Sequence, residues 1–196
     1  MIYAIISGST IIATGSAQQL WPNVSFGPGG PDAAWLAANN AVLITQPPFD
    51  QNSQVLSPCS PYISGSAVYN ATVSPMSPAQ MAPIQYNAAI AAGLSITSTG
   101  TPAMPPGPYA CDAVTCVNLA QVNSYITVNH KFPAGQAQFP MKSPAVAVVY
   151  EFASTALYQA AASAIADYVA GCDLARDAQL ATNTAQSWPM PTVAIP

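Results

Sequence analysis

Charged side chains are scarce in this sequence, and that scarcity limits what the chain can fold into. Only 5% of its 196 residues are Asp, Glu, Lys or Arg, against roughly 25% in an ordinary soluble domain. Hydrophobic residues make up 51%, so the chain lacks the high charge and low hydrophobicity that keep a protein disordered. We therefore predict a folded chain whose surface is covered by neutral polar side chains or by partner subunits.

The same scarcity argues against several function classes. The net charge is −4, and the three Lys or Arg residues form no cluster, whereas nucleic-acid binding needs several cations on one face. The apolar start breaks at Ser7 and has no basic segment before it, so it is not predicted to be a signal peptide. No later segment is apolar on all sides over the length of a membrane span. We expect neither nucleic-acid binding nor membrane insertion.

The cysteines leave two interpretations open. They stand at Cys59, Cys111, Cys116 and Cys172. None forms the close CxxC pair of a zinc site, so no metal site is predicted. Cys111 and Cys116 would close the shortest loop and are the candidate disulfide. In a reducing cytosol the four residues would instead serve as small buried hydrophobic side chains.

No arrangement of residues predicts catalysis. A Ser-His-Asp triad would have to use His130, the single histidine, and no nucleophile motif surrounds it. The close acids Asp173 and Asp177 have Arg176 beside them on a predicted helix, and Glu151 is the only Glu. We therefore predict a protein that is not an enzyme and that uses no cofactor.

Local patterns predict an α+β fold, in which a small N-terminal β-hairpin and helix domain precedes a helix-rich C-terminal domain with a long amphipathic helix. The predicted divisions are a module at 1–75, a Pro- and Ala-rich connector at 76–108, and a helical module at 109–196. In the first module we expect hairpins at 2–14 and 54–73, a helix at 33–40 and a strand at 41–45.

The rest of the chain is predicted in the same way. In the connector we expect a short helix interrupted by Pro83, a strand at 94–98 and a proline-rich loop at 101–108. The last module should contain helices at 113 to about 125 and 155 to about 182. Between them, Phe139 and residues 146–150 are expected to form either a last hairpin or an entry segment. An extended tail with Pro189, Pro191 and Pro196 ends the sequence.

Aromatic residues flank a glycine-rich turn in the first module. Trp21 and Phe26 precede Gly29 and Gly30, and Trp35 follows them. Such residues supply much of the buried area of a small domain, which favours a role in its core. They could instead form a surface on which a carbohydrate stacks, so Trp21, Phe26 and Trp35 are the candidate interaction surface.

The order of several segments resembles a known family. The strand at 2–6, the Trp-Pro-Asn-Val-Ser-Phe segment at 21–26 and the helix start at 30–39 resemble the N-terminal module of tailed-bacteriophage tail-fibre-associated proteins. Residues 54–73 resemble that module's closing hairpin. In the second half, the segments at 93–102 and 109–112 and the Ala-rich helix around 166–170 are similar to phage tail modules. The shared motifs are turns and helix starts, so the resemblance assigns no catalytic residue.

The resemblance implies a structural component of the virion, namely an adaptor or host-attachment protein of the tail, baseplate or fibre. Its expected partners are other virion proteins and copies of itself, with a host-surface glycan as a further candidate. It would be made in the host cytoplasm and end in the particle. Two alternatives stay open: a tail-fibre assembly chaperone absent from the mature particle, and a carbohydrate-binding receptor module.

Overall fold

The protein, in a computed structural model that describes residues 1–98, 107–145 and 148–195, folds as two compact units. The first is Met1–Met76 and the second is Ser77–Pro196. The elements of the first unit are β1 (Tyr3–Ser7), β2 (Thr10–Gly15), α1 (Ala17–Leu20), α2 (Ala33–Ala38), β3 (Ala41–Thr45), β4 (Gln54–Ser64) and β5 (Ala67–Pro75).

The first unit is built on a five-stranded sheet with the order β2-β1-β3-β5-β4. Two antiparallel hairpins, β1–β2 and β4–β5, turn at Gly8 and Gly65, both at φ +61°. Glycine is favoured at such positive φ because it has no side chain to clash. The predicted hairpins and the strand at 41–45 are confirmed. The helix predicted at 33–40 is also confirmed, and the Asp32 carboxylate accepts a hydrogen bond from the Trp35 amide at 2.7 Å.

The second unit combines helices with two further sheets. Its elements are α3 (Pro78–Ala92), β6 (Leu94–Ser98), β7 (Gly107–Tyr109), α4 (Ala113–Asn129), a 3-10 turn (Pro133–Gly135), β8 (Phe139–Lys142), β9 (Val149–Phe152), α5 (Thr155–Thr182) and β10 (Thr192–Ile195). One sheet has the order β10-β6-β7, and β8 pairs with β9. The predicted starts of α4 and α5 are confirmed, and α5 also ends where predicted.

The core of the second unit is organised around α5. Its buried face carries Tyr158, Ile165 and Cys172, which join one hydrophobic cluster with residues of β6, β7, α4 and β9. Phe132 and Phe152 pack their rings edge-on against Tyr158, at centroid distances of 5.7 and 5.6 Å. Such aromatic pairs add stability beyond their buried area. The segment predicted as a connector therefore contributes strands to the same core as the segment after residue 109.

The predicted fold class is wrong. Within the described residues the chain is a mixed α and β protein with ten strands and five α-helices, and three of those strands, β8, β9 and β10, lie in the module at 109–196 that was predicted to be helical. Strands dominate the first unit, while the longer helices lie in the second. Each unit also contains a parallel strand pair, β3–β5 and β6–β10. Parallel partners are distant in sequence, so local hairpin patterns do not indicate them.

Two further predictions are corrected. Pro83 does not interrupt α3, which continues from Pro78 to Ala92 although the proline has no amide to bond to an earlier carbonyl. The C-terminal tail is not simply extended, since its residues 192–195 pair with β6. Of the predicted loop at 101–108, residues 101–106 lie outside the described residues. Its last two residues, 107 and 108, belong to β7. Residues 146–147 of the predicted hairpin also lie outside.

Candidate interaction surfaces

The three candidate aromatic residues of the first unit form one cluster. Phe26 lies 5.4 Å from Trp35 and 5.9 Å from Trp21, with interplanar angles of 76° and 71°. Trp21 also contacts Trp35, at 6.4 Å, and the buried ring of Tyr3, at 6.1 Å. All three candidates are half-buried. The structure therefore brings Trp21, Phe26 and Trp35 together, and each of the three rings contacts the other two.

A groove of about 640 Å³ opens beside this cluster. Of the three candidates only Phe26 lines it, together with the buried Tyr3. Its polar wall comes from Gln18, Asn23 and Ser25, which are exposed. We call this concave surface the aromatic groove. Trp21 and Trp35 contact Phe26 through their rings, but they do not line the groove.

The polar residues of the groove were not predicted. Nothing in the sequence distinguishes Gln18, Asn23 and Ser25 from other exposed polar residues, and α1 was missed because it is only four residues long. Two turns near the aromatic residues bring them together, with hydrogen bonds from the Val24 amide to the Trp21 carbonyl (3.1 Å) and within residues 27–30. The Trp-Pro-Asn segment was the only sequence feature near these turns, and it was interpreted as an extended segment instead of a turn.

Helix α4 of the second unit exposes an apolar row. Val114, Val117 and Val128 are 69%, 57% and 77% exposed, and Tyr125 is 36% exposed. At 3.6 residues per turn these four positions fall within an arc of about 80°. The opposite side of α4 is buried, through Leu119 and other residues of the hydrophobic cluster. We call the four exposed residues the α4 stripe.

The α4 stripe lies on a helix without a single charged residue. From Ala113 to Asn129 the sequence contains no Asp, Glu, Lys or Arg. A solvent-facing helix surface ordinarily carries charged and polar side chains. The outer arc of this helix is apolar except for the neutral Gln121, and among the described residues none covers it. An apolar face of this kind is the usual mark of an interaction site.

The cysteines are free thiols in this structure. The candidate disulfide between Cys111 and Cys116 is not formed. Instead the Cys116 thiol donates a weak hydrogen bond to the Cys111 carbonyl at 3.5 Å. Cys111 and Cys172 are buried, as in the alternative interpretation of small hydrophobic side chains, whereas Cys59 and Cys116 are half-buried.

The second unit buries several thiol and phenol groups, so we expect the protein to lose stability at alkaline pH. Burial raises the pKa of Cys111 from 9.0 to about 12, and the pKa values of Tyr158 and Tyr168 from 10.0 to about 12. These groups stay neutral in the folded chain, but they ionise in the unfolded chain at their ordinary values. Their contribution to stability is complete below about pH 9 and is lost as the pH rises towards 12.

We expect the free energy of unfolding, measured by urea titration, to be constant from pH 7 to 8.5 and to fall steadily above pH 9. Each group that ionises only in the unfolded chain lowers it by up to about 1.4 kcal/mol per pH unit. The change Cys111→Val should make the fall shallower, because it removes one of the three thiols, Cys111, Cys116 and Cys172, whose pKa is raised by burial. A constant free energy of unfolding up to pH 11 would contradict this prediction.

Arg176 is the centre of a charged cluster in the second unit. Arg176 binds both Asp173 and Asp177 at 2.8 Å, and its guanidinium lies 4.5 Å from the ring centre of Tyr86. His130 is exposed and ends α4 at φ +55°. Within the described ranges no group of three or more His, Cys, Asp or Glu residues could hold a metal ion. No helix there is long and apolar enough to cross a membrane.

Comparisons with protein-family models, with curated proteins and with solved structures found no match to this chain. Its function is therefore inferred from the two surfaces described above, the aromatic groove and the α4 stripe.

Proposed function

We propose that this chain is a structural component of a tailed-phage virion. It acts as an adaptor or attachment protein of the tail, baseplate or fibre apparatus, and it associates with copies of itself. The observation that carries the proposal is the α4 stripe. The scarcity of charge and the resemblance to phage tail modules supply the setting.

The energetics of the α4 stripe favour a partner. Moving a valine side chain from water into an apolar contact stabilises by about 1.5 kcal/mol or more. Val114, Val117 and Val128 forgo that stabilisation in the isolated chain, since each is more than half exposed. A partner that covered all three would recover several kcal/mol, to be set against the entropy cost of association.

A second copy of the chain fits the stripe best. Because α4 has no charged side chain, the stripe can face its own symmetry mate without burying an unpaired charge or opposing like charges. A two-fold contact would bring the valine rows of two helices together, and neutral Gln121, which falls within the same arc, can meet its counterpart by a hydrogen bond.

The place of the protein in a particle is tested by mass spectrometry of purified virions of a phage that encodes it. We expect the chain in a fixed ratio to the other tail proteins. If it occurs only in infected lysate and not in particles, the structural role is wrong, and an assembly chaperone becomes the better hypothesis. If the chain is present in particles, electron microscopy of the whole particle locates it and gives its copy number.

Self-association is tested by changing the stripe. We expect Val117→Gln and Val128→Gln each to weaken association about tenfold, because each removes an apolar contact from every copy. Glutamine has at least the helix propensity of valine, so α4 should stay folded. Sedimentation velocity over a range of concentrations gives the association constant.

The matched control for the stripe is Leu174→Gln, which changes an equally exposed apolar residue on α5. It should leave the association constant unchanged. The proposed contact is wrong if the wild-type chain is monomeric at high micromolar concentration. It is also wrong if Leu174→Gln weakens association as much as the valine changes do.

A further inference from the structure

We infer that the aromatic groove of the first unit binds a neutral saccharide. This inference rests on the groove alone and not on the α4 stripe or the proposed virion role. It is carried by the size of the groove, the rigidity of its walls and the chemistry of its lining.

The groove has the size of a binding site. Its volume of about 640 Å³ lies within the range of roughly 300–1,000 Å³ that small-molecule sites occupy. Unlike the enclosed apolar pockets that bind hydrophobic ligands, it is open to solvent and carries polar groups along its wall. An elongated, strongly hydrated ligand suits such a shape better than a compact apolar one.

Local hydrogen bonds fix the walls. At one end, the Ser16 hydroxyl accepts from the Gln19 amide, and the Gln19 side chain accepts from the Ser16 amide at 2.8 Å. At the other end, the Gly30 amide donates to the Gly27 carbonyl at 2.9 Å. A site whose walls are already ordered loses little conformational entropy when a ligand binds.

Gly30 is required for the shape of the groove. Its backbone has φ +76°, and a Cβ atom added there would lie 2.5 Å from the hydroxyl oxygen of Tyr3. Glycine therefore lets the loop close over Tyr3, which is 2% exposed and forms the floor beside Phe26. The combination of positive φ and close approach allows only glycine without a shift of the ring.

The lining selects for a neutral polar ligand. Among the described residues that line the groove, none has a charged side chain. Gln18, Asn23 and Ser25 make no side-chain hydrogen bond within the described part of the chain, so their donors and acceptors are available to a ligand. Amides and hydroxyls both donate and accept, as sugar hydroxyls do. A phosphate or carboxylate would instead call for an Arg or Lys.

Phe26 supplies the apolar contact that a sugar also needs. One face of a pyranose ring presents C–H groups, which pack on an aromatic ring while the hydroxyls at the ring edge bond to polar side chains. Trp21 and Trp35 fix the orientation of Phe26 through edge-to-face contacts at 5.9 and 5.4 Å. Of the three aromatic residues predicted to form a carbohydrate surface, Phe26 alone would therefore contact the sugar, while Trp21 and Trp35 support its ring.

The experiment is a glycan array that carries neutral and acidic glycans, probed with the full-length chain. We expect binding to at least one neutral glycan and weaker or no binding to its sialylated or phosphorylated counterparts. Titration calorimetry with the free neutral glycan then gives the affinity. Asn23→Ala and Gln18→Ala should each weaken it about fivefold, the effect of losing one neutral hydrogen bond. Phe26→Leu should weaken it about tenfold or more.

The control is Asn70→Ala, which removes an exposed asparagine of β5 in the same unit, away from the groove. Its affinity should equal that of the wild type, and circular dichroism should show that every variant is folded. Because Asn23 and Gln18 are exposed and make no internal hydrogen bond, their variants stay informative even if Phe26→Leu unfolds. The inference is wrong if no neutral glycan binds, if acidic glycans are preferred, or if the Asn23 and Gln18 changes leave the affinity intact. None of these results bears on self-association through α4.

Discussion

Replacing Gly93 by alanine is expected to destabilise the second unit by about 4 kcal/mol or more. Gly93 joins α3 to β6 at φ +74° and ψ −175°, a conformation that other residues adopt only with strain. A Cβ atom there would overlap the Tyr109 carbonyl oxygen and lie 2.6 Å from the ring of Pro144. Tyr109 cannot move away, because it pairs with Leu94 in the β6–β7 ladder. Backbone strain and overpacking therefore act together.

The matched control for Gly93→Ala is Gly135→Ala. Gly135 also has a positive φ, of +68°, but nothing lies within 4 Å of the position that its Cβ would take. Gly135→Ala should lower the free energy of unfolding by only about 1–2 kcal/mol, because alanine is strained in the left-handed backbone conformation. Chemical denaturation gives both free energies, and hydrogen exchange shows whether protection is lost in α3 and β6. Similar losses for the two variants would mean that the close approach to Tyr109 contributes nothing.

The sequence predicted those elements whose signals are local. The hairpin around Gly8 and the helix after Asp32 each have their turn or cap within a few residues of the element, so their physical cause can be identified in the sequence. The strand β10 has no such signal. It is four residues long, it follows two prolines, and it becomes a strand only because β6, almost one hundred residues earlier, offers a free edge. The wrong fold class came from such long-range pairing.

The candidate surfaces show the same limit. The sequence allowed us to predict that Trp21, Phe26 and Trp35 form one aromatic patch. Which ring faces solvent depends on two turns, and no sequence motif indicates those turns. In α4 the valine row and the Leu119 row are both apolar, so periodicity alone cannot determine which row is buried. The position of α5 determines it, through the hydrophobic cluster that contains Leu119.

Because charged residues are scarce, the few buried polar side chains of the second unit contribute more to the contacts between its helices. Gln179 of α5 is 1% exposed. Its amide nitrogen donates to the Pro78 carbonyl at 2.6 Å and to the Gln85 side-chain oxygen at 2.8 Å, and its oxygen accepts from the Gln186 amide at 3.3 Å. One side chain thereby connects the end of α5 to both α3 and the segment that follows α5.

Replacing Gln179 by leucine is expected to destabilise the second unit by about 3 kcal/mol. Leucine has a similar size, but it removes three hydrogen bonds to the half-buried partners Pro78, Gln85 and Gln186, and each such bond contributes about 1 kcal/mol. The control is Gln159→Leu on the same helix, where an exposed hydrogen bond of 3.1 Å to Thr127 is lost and a change below about 0.5 kcal/mol is expected. Urea denaturation measures both. Equal effects of the two changes would show that the buried side chain of Gln179 adds nothing beyond helix packing, whereas the predicted difference would show that its hydrogen bonds help to fix the end of α5.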